Sequence, residues 1–374
     1  MGNTIMSRQT RFLMTLCRFL LGSQAIAEEP AGNNTPDDGA KALAADREQG
    51  LDWLTKNQAE DGSWGKTYTI AVTSFACLSY LGHSDEPYTG ERGRELLKGL
   101  RFLMVNQRDG QFTKQGHTWI HGQGFATLAL SEAYGRSLFA KTKPDIDTQQ
   151  IRDIVGQAVQ VITNNQSTSG GWWYTPGSPG NHEGSTTVCA VQTLVSANNY
   201  DIEIDKSVLA RGFEYLKQCQ NQDGGFDYKL GDARSMKEGT AGGVATLGLM
   251  KKFDYSVMMK GYNFLLKITL AEIGRQRFPY YGHFYGCMGM HLLRQEFGRD
   301  KEYREKTSQY IAEVRKDVLS WRQVDGAWPT KGSVSGEGKA YGTAFATLLL
   351  SVPEGPLSIY NRRPPKLPQG DNES

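Results

Sequence analysis

Apolar positions recur at helical spacing in two alternating kinds of segment. The first kind is clearest over 211–226, RGFEYLKQCQNQDGGF. It reads as a short amphipathic helix ending on Gln220, followed by an Asp-Gly-Gly turn that Phe226 closes. The pattern returns at Gly50, Trp53 and Leu54 with Gln58 and Trp64, and at Gly99, Phe102 and Leu103 with Gln107 and Phe112. Looser copies carry Gln166 with Trp172 and Gln323 with Trp328. The glutamines recur every ~50–60 residues until a gap of about twice that length. Gly261, Phe264 and Leu265 fill the gap, with Thr269 in the glutamine's place, so the repeats number six.

The second kind of segment follows each copy and is apolar or small almost all round. These segments lie at 69–81, 121–134, 183–197, 238–250, 281–293 and 341–350. A helix of that composition requires burial on every side, whereas the first kind requires solvent on one face. Six buried inner helices and six amphipathic outer ones, closed into a ring, satisfy both demands. An open solenoid needs polar capping repeats, and neither terminal inner helix is polar enough. The expected fold is therefore all-α, a single (α/α)6 toroid over 46–352 with an apolar-walled central cavity.

The Gly-x-x-aromatic-Leu, Gln, Gly-x-Trp pattern resembles the QW repeat of squalene–hopene cyclases and of protein prenyltransferase beta subunits. This resemblance implies that Gln58/Trp64, Gln107/Phe112, Gln166/Trp172, Gln220/Phe226 and Gln323/Trp328 tie each outer helix to its neighbour. The family's chemistry is another matter. Its cyclases protonate an alkene with Asp-x-Asp-Asp at the start of an inner helix, and the nearest match, Asp145-Ile-Asp147-Thr148, precedes an outer helix. Its prenyltransferases hold zinc with Asp-x-Cys, but Thr187 and Tyr285 stand two residues before Cys189 and Cys287. The resemblance implies a toroid binding an apolar or isoprenoid-like ligand without either standard motif. If the chain is an enzyme, it is a transferase, isomerase or lyase of that superfamily; the rival reading is a non-catalytic interaction scaffold.

Composition narrows the picture further. Lys and Arg number 42 against 40 Asp and Glu, a net charge of +2. Such balance gives no reason to expect a nucleic-acid partner. At the start, Arg8 and Arg11 precede an apolar run over 12–21, and Ala25 and Ala27 form a small-x-small site, so 1–27 reads as an export signal. The run is too short to span a bilayer, so the mature chain is expected to have no transmembrane segment. The acidic stretch 28–45 reads as a linker and the proline-rich 353–374 as an extended, disordered tail outside the fold. The cysteines show no paired spacing and read as buried free thiols.

Candidate chemistry gathers where the inner helices begin. His117 and His121 precede or open the second, His182 and Glu183 the third, and Glu238 the fourth. Tyr280, Tyr281 and His283 open the fifth, and Glu337 precedes the sixth. Parallel inner helices bring these groups to one mouth of the ring. Converging imidazoles and carboxylates suit acid–base work or a divalent ion, so a His/Glu-dependent or metal-dependent enzyme stays open. Helix capping accounts for the same residues. His283, Cys287 and His291 share one helical stripe but span about 12 Å, too far for one ion.

Overall fold

The computed structural model describes residues 37–112, 118–250, 254–363 and 366–368. In chain order the helices are α1 (Asp37–Lys56), α2 (Thr69–Leu81), α3 (Gly90–Val105), α4 (Trp119–Ser137), α5 (Thr148–Asn164) and α6 (Gly184–Asn199). There follow α7 (Lys206–Gln218), α8 (Lys237–Gly248), α9 (Tyr255–Lys267), the short α10 (Leu270–Gly274), α11 (Pro279–Phe297), α12 (Lys301–Ser320) and α13 (Lys339–Ser351). Strands among the described residues form only two short ribbons, Gln107–Arg108 with Gln111–Phe112 and Phe226–Asp227 with Ser235–Met236.

The inner helices pack in the order α2, α4, α6, α8, α11, α13, and α13 packs back on α2. The ring is closed. Each later outer helix lies against the inner helix before it: α3 on α2, α5 on α4, α7 on α6, α9 on α8 and α12 on α11, with α1 on α13. Four outer helices start from an aspartate N-cap: Asp147, Asp205, Asp254 and Asp300. Their charged faces remain outside, whereas α2 is buried continuously from Ile70 to Leu81.

The repeated turn works as a hydrogen-bonded joint. The indole N–H groups of Trp64, Trp172 and Trp328 donate to the carbonyls of Leu54, Ile162 and Val318 at 2.9, 2.8 and 2.7 Å. These carbonyls lie in the outer helix just finished, near its open end. The backbone N–H of each turn aromatic donates to an inner-helix threonine: Trp64 to Thr73, Trp172 to Thr187, Phe226 to Thr240 and Trp328 to Thr343. The glutamine amides then reach outward. Gln58, Gln166 and Gln220 donate both to their own turn and to Glu95, Val208 and Val257 in the next outer helix.

Two copies vary. In the second repeat Gln123 of α4 receives the Phe112 N–H and donates to Gly110, while Gln107 accepts from Gly110. In the fifth, Thr269 makes a capping box with Glu272 and starts α10. The Gln323 side chain is exposed, at the seam. Glycine enters the joint for two reasons. Gly62, Gly170, Gly224 and Gly326 all take φ between +82 and +93. Gly212 and Gly261 instead let helices touch: a Cβ there would stand 2.7 Å from Val191 and 2.4 Å from Val244.

Two boundaries differ from expectation. Helix α1 begins at Asp37, so part of the expected linker over 28–45 is helical; residues 1–36, including the expected export signal, lie outside those described. The segment after Val352 is not a loose tail over its described length. Leu357, Ser358, Ile359 and Tyr360 are fully buried. They seal the end of the ring opposite the turns, where the inner helices finish. The buried Glu132 carboxylate accepts from Ser358 N at 2.9 Å, Ser358 Oγ at 2.6 Å, Ser196 Oγ at 2.8 Å and Tyr200 Oη at 2.9 Å. Arg362 then reaches Gly248 O at 2.7 Å and Glu296 at 3.1 Å. Proline-rich composition hid three apolar side chains and a serine that match this end of the core.

Ending the chain at Val352 removes those side chains and strips Glu132 of two donors. Burial of each large apolar side chain contributes about 1.5–3 kcal/mol, so the truncation should lower unfolding free energy by roughly 4 kcal/mol or more. Urea denaturation measures this; unchanged stability would show that the segment is only laid against the ring.

Candidate functional site at the mouth of the ring

All inner helices point the same way, so their N-terminal ends and the turns before them surround one opening. Aromatic rings line the arc made by α4, α2 and α13. His121 stacks on Phe125 at 6.2 Å and 16° and lies 5.7 Å from Tyr174. Phe75 touches both Phe125 and Phe345, with ring centroids 4.4 Å apart in each case. Tyr341 completes the arc at 5.3 Å from Phe345. Such tilted and offset contacts suit ring quadrupoles.

Below this level the axis is packed. Phe75 is 5% exposed, Phe125 6%, Phe345 2% and Tyr285 0%. Tyr285 Oη donates to Gln192 at 2.7 Å, and Met288 lies 3.6 Å from the Gln192 amide, bridging α11 to α6 past the small residues of α8. Aromatic side chains thus occupy the space between the inner helices where an open cavity was expected. Solvent still reaches His121, Tyr174, Tyr228 and Tyr281.

The remaining arc, over α6, α8 and α11, is polar. Glu183 caps α6: its carboxylate accepts from Thr186 N and Ser185 Oγ, each at 2.8 Å. Burial raises its pKa, and those hydrogen bonds oppose the shift. Burial likewise raises the pKa of Glu238 in the first turn of α8. The hydroxyls of Tyr174 and Tyr228 meet at 3.1 Å. Enclosure by protein pushes His121 down to about 4, leaving it neutral at pH 7.

The ring brings only some of the sequence candidates to this surface. His121, Glu183, Glu238 and Tyr281 belong to it. His182 sits beside it, with Nδ1 2.9 Å from Tyr215 Oη of α7 and a pKa lowered by burial. Tyr280 faces the packed wall and donates to Pro329 O at 2.7 Å. His283 turns away from the mouth: it is fully buried, with Nε2 3.0 Å from Asp317 of the outer helix α12. Residue 117 lies outside those described.

Glu337 has a different task. Its carboxylate accepts the backbone N–H groups of Lys66, Thr67 and Tyr68 at 3.0, 3.0 and 3.2 Å. It clasps the sixth repeat to the first. Among the described residues no group of three His, Cys, Asp or Glu side chains is placed to hold a metal ion. The described cysteines, Cys77, Cys189, Cys219 and Cys287, are buried free thiols.

Sequence reasoning missed Phe75, Phe125, Tyr174, Tyr228 and Tyr341, which read as ordinary apolar or turn residues. One signal was available. Tyr174 and Tyr228 each stand two residues beyond a turn aromatic, Trp172 and Phe226, where alternation carries a side chain to the same side.

Residues 5–211 and 196–282 match the prenyltransferase alpha-alpha toroid domain. No curated protein matches the chain. Among solved structures, an inactive variant of the alpha-1,6-mannanase GH76A of Salegentibacter sp. HEL1_6, in complex with alpha-1,6-mannotetrose, superposes with a TM-score of 0.64 at 9% identity. That match covers 83% of this chain and 98% of the mannanase. The type II terpene cyclase MstE from Scytonema, in complex with its product merosterolic acid A, gives 0.53 at 15% identity over 83% and 96% of the two chains. A D-mannose isomerase gives 0.57 at 13% identity over 83% and 96%. At such identities the likeness concerns the fold.

Two predictions follow from this geometry. Glu337→Ala leaves three N–H groups without their acceptor and should cost about 2–4 kcal/mol in chemical denaturation; a loss under 0.5 kcal/mol would deny it the clasp. His121 has a folded pKa of about 4 against an ordinary 6.5. Between those values the unfolded chain takes up a proton that the folded chain refuses, so its contribution is complete above pH 6.5 and is lost as pH falls towards 4. The stability advantage of the native protein over His121→Phe should shrink across that interval. A pH-independent difference would contradict the assignment.

Proposed function

Because the chain belongs to the prenyltransferase alpha-alpha toroid family, we propose that it binds an apolar, isoprenoid-like ligand across the mouth of its ring. The observation that carries this reading is the solvent-reached group of His121, Tyr174, Tyr228 and Tyr281 above the packed rings of Phe75 and Phe125. Flat apolar walls favour hydrocarbon by burial and polarisable contact. The ligand lies across these rings and does not thread the packed axis. Neither an Asp-x-Asp-Asp acid nor an Asp-x-Cys zinc motif stands at an inner-helix start, so the activity differs from those two chemistries. Among the described residues, no helix is long and apolar enough to cross a membrane. Export, with a mature chain starting at Glu28, belongs to the same proposal and is supported by the sequence of 1–27 alone.

A second reading has its own support. The packed axis suits a scaffold that works through its charged outer helices. Titration with farnesene, followed by tryptophan fluorescence, separates the two. Saturable binding is expected, weakened roughly tenfold or more by Tyr174→Ala combined with Tyr228→Ala and unaffected by Tyr255→Ala on the outer ring. No saturable binding, or equal loss at all three positions, would favour the scaffold.

A further inference from the structure

The polar arc of the mouth contains two buried polar atoms that nothing among the described residues satisfies. Glu238 is 7% exposed, and its Oε2 is buried without a hydrogen-bond partner. The Tyr281 hydroxyl is also buried and unpartnered, although solvent reaches the rest of that residue. Orphaned buried groups cost free energy and are uncommon in folded proteins.

Their placement is set by Gly242. A Cβ there would stand 2.4 Å from Tyr281 Oη and 3.2 Å from Val188 of α6, so only glycine lets that hydroxyl reach α8. Glu238 precedes Gly242 by about one turn on the same face, roughly 6 Å along the helix. It also faces Gly282, the neighbour of Tyr281, where a Cβ would be 3.3 Å from its own. The neighbouring Lys237 gives its ion pair to Glu272, at 2.5 Å, and makes no hydrogen bond to Glu238.

An unpartnered acceptor on α8 and an unpartnered donor on α11, carried by helices that touch at Gly242 and Gly282, are the complement of a hydroxyl group. We propose that Glu238 and Tyr281 form a hydroxyl-recognition site within the mouth, which takes the alcohol end of an otherwise apolar ligand. The ligand O–H donates to the Glu238 carboxyl oxygen, and its oxygen accepts from Tyr281. A protonated carboxyl keeps a carbonyl oxygen that accepts, so the pairing holds in either protonation state of Glu238. The proposal rests on the reading of the mouth as an isoprenoid-binding surface and gives its ligand a direction, head on α8 and α11, hydrocarbon towards His121 and Tyr174.

The test compares farnesol with farnesene by titration calorimetry on the full chain. Farnesol should bind about tenfold tighter. Tyr281→Phe and Glu238→Leu should each erase that preference, so that farnesol and farnesene bind each variant with equal affinity, while the thermal midpoint stays near its original value. Equal affinity of the two ligands for the native protein overturns the hydroxyl site and leaves the aromatic mouth standing. Persistence of the preference in both variants does the same, as does a large fall in thermal midpoint, which would make the pair structural. Binding of neither ligand defeats the mouth reading and this inference with it.

Discussion

Everything in this molecule depends on closure of the ring. An inner helix such as α2, apolar or small on every side, is tolerable only with neighbours on both flanks and an outer helix behind. The first and last repeats obtain that cover from each other. Helix α13 packs on α2, and α1 packs on α13. The Glu337 carboxylate fastens the joint by receiving N–H groups from residues some 270 positions earlier in the chain. A carboxylate held by several N–H donors is a strong, directional contact, and here it replaces the capping repeats of an open array.

Closure also gives the ring two unlike ends. Parallel inner helices put every N-terminus, with its free N–H groups, at one opening and every C-terminus at the other. The C-terminal end is sealed by Leu357, Ile359 and Tyr360 and by the donors that surround Glu132. The N-terminal end stays open to solvent at His121, Tyr174, Tyr228 and Tyr281. Phe75, Phe125 and Phe345 raise its floor, and the turns contribute Tyr174 and Tyr228 to its rim. Packing lies beneath this end and solvent above it.

Much of this was legible in the chain. The two kinds of helix and their alternation follow from periodicity, and the expected span of 69–81 agrees with α2. The glutamine and aromatic of each turn were visible because they repeat. Their threonine partners were not, since Thr73, Thr187, Thr240 and Thr343 sit in segments where threonine also reads as a small packing residue. The mouth was legible as a place but not as a set of contacts. Helix starts locate Glu183 and Glu337 there, yet only the fold shows that one caps α6 and the other spans the seam. His283 was misleading because a helix start does not determine which way a side chain faces. The C-terminal segment was misread because composition reports average polarity, whereas three apolar side chains in the right places suffice to seal an end.

The central claim is that the aromatic mouth is where this protein meets its ligand. Photo-crosslinking with a benzophenone-bearing isoprenoid, followed by peptide mapping, tests it most directly. The account predicts labels on the segments carrying His121, Tyr174, Tyr228 and Tyr281, suppressed by excess farnesol. Labels confined to the outer helices or to the sealed end around Tyr360 would contradict it.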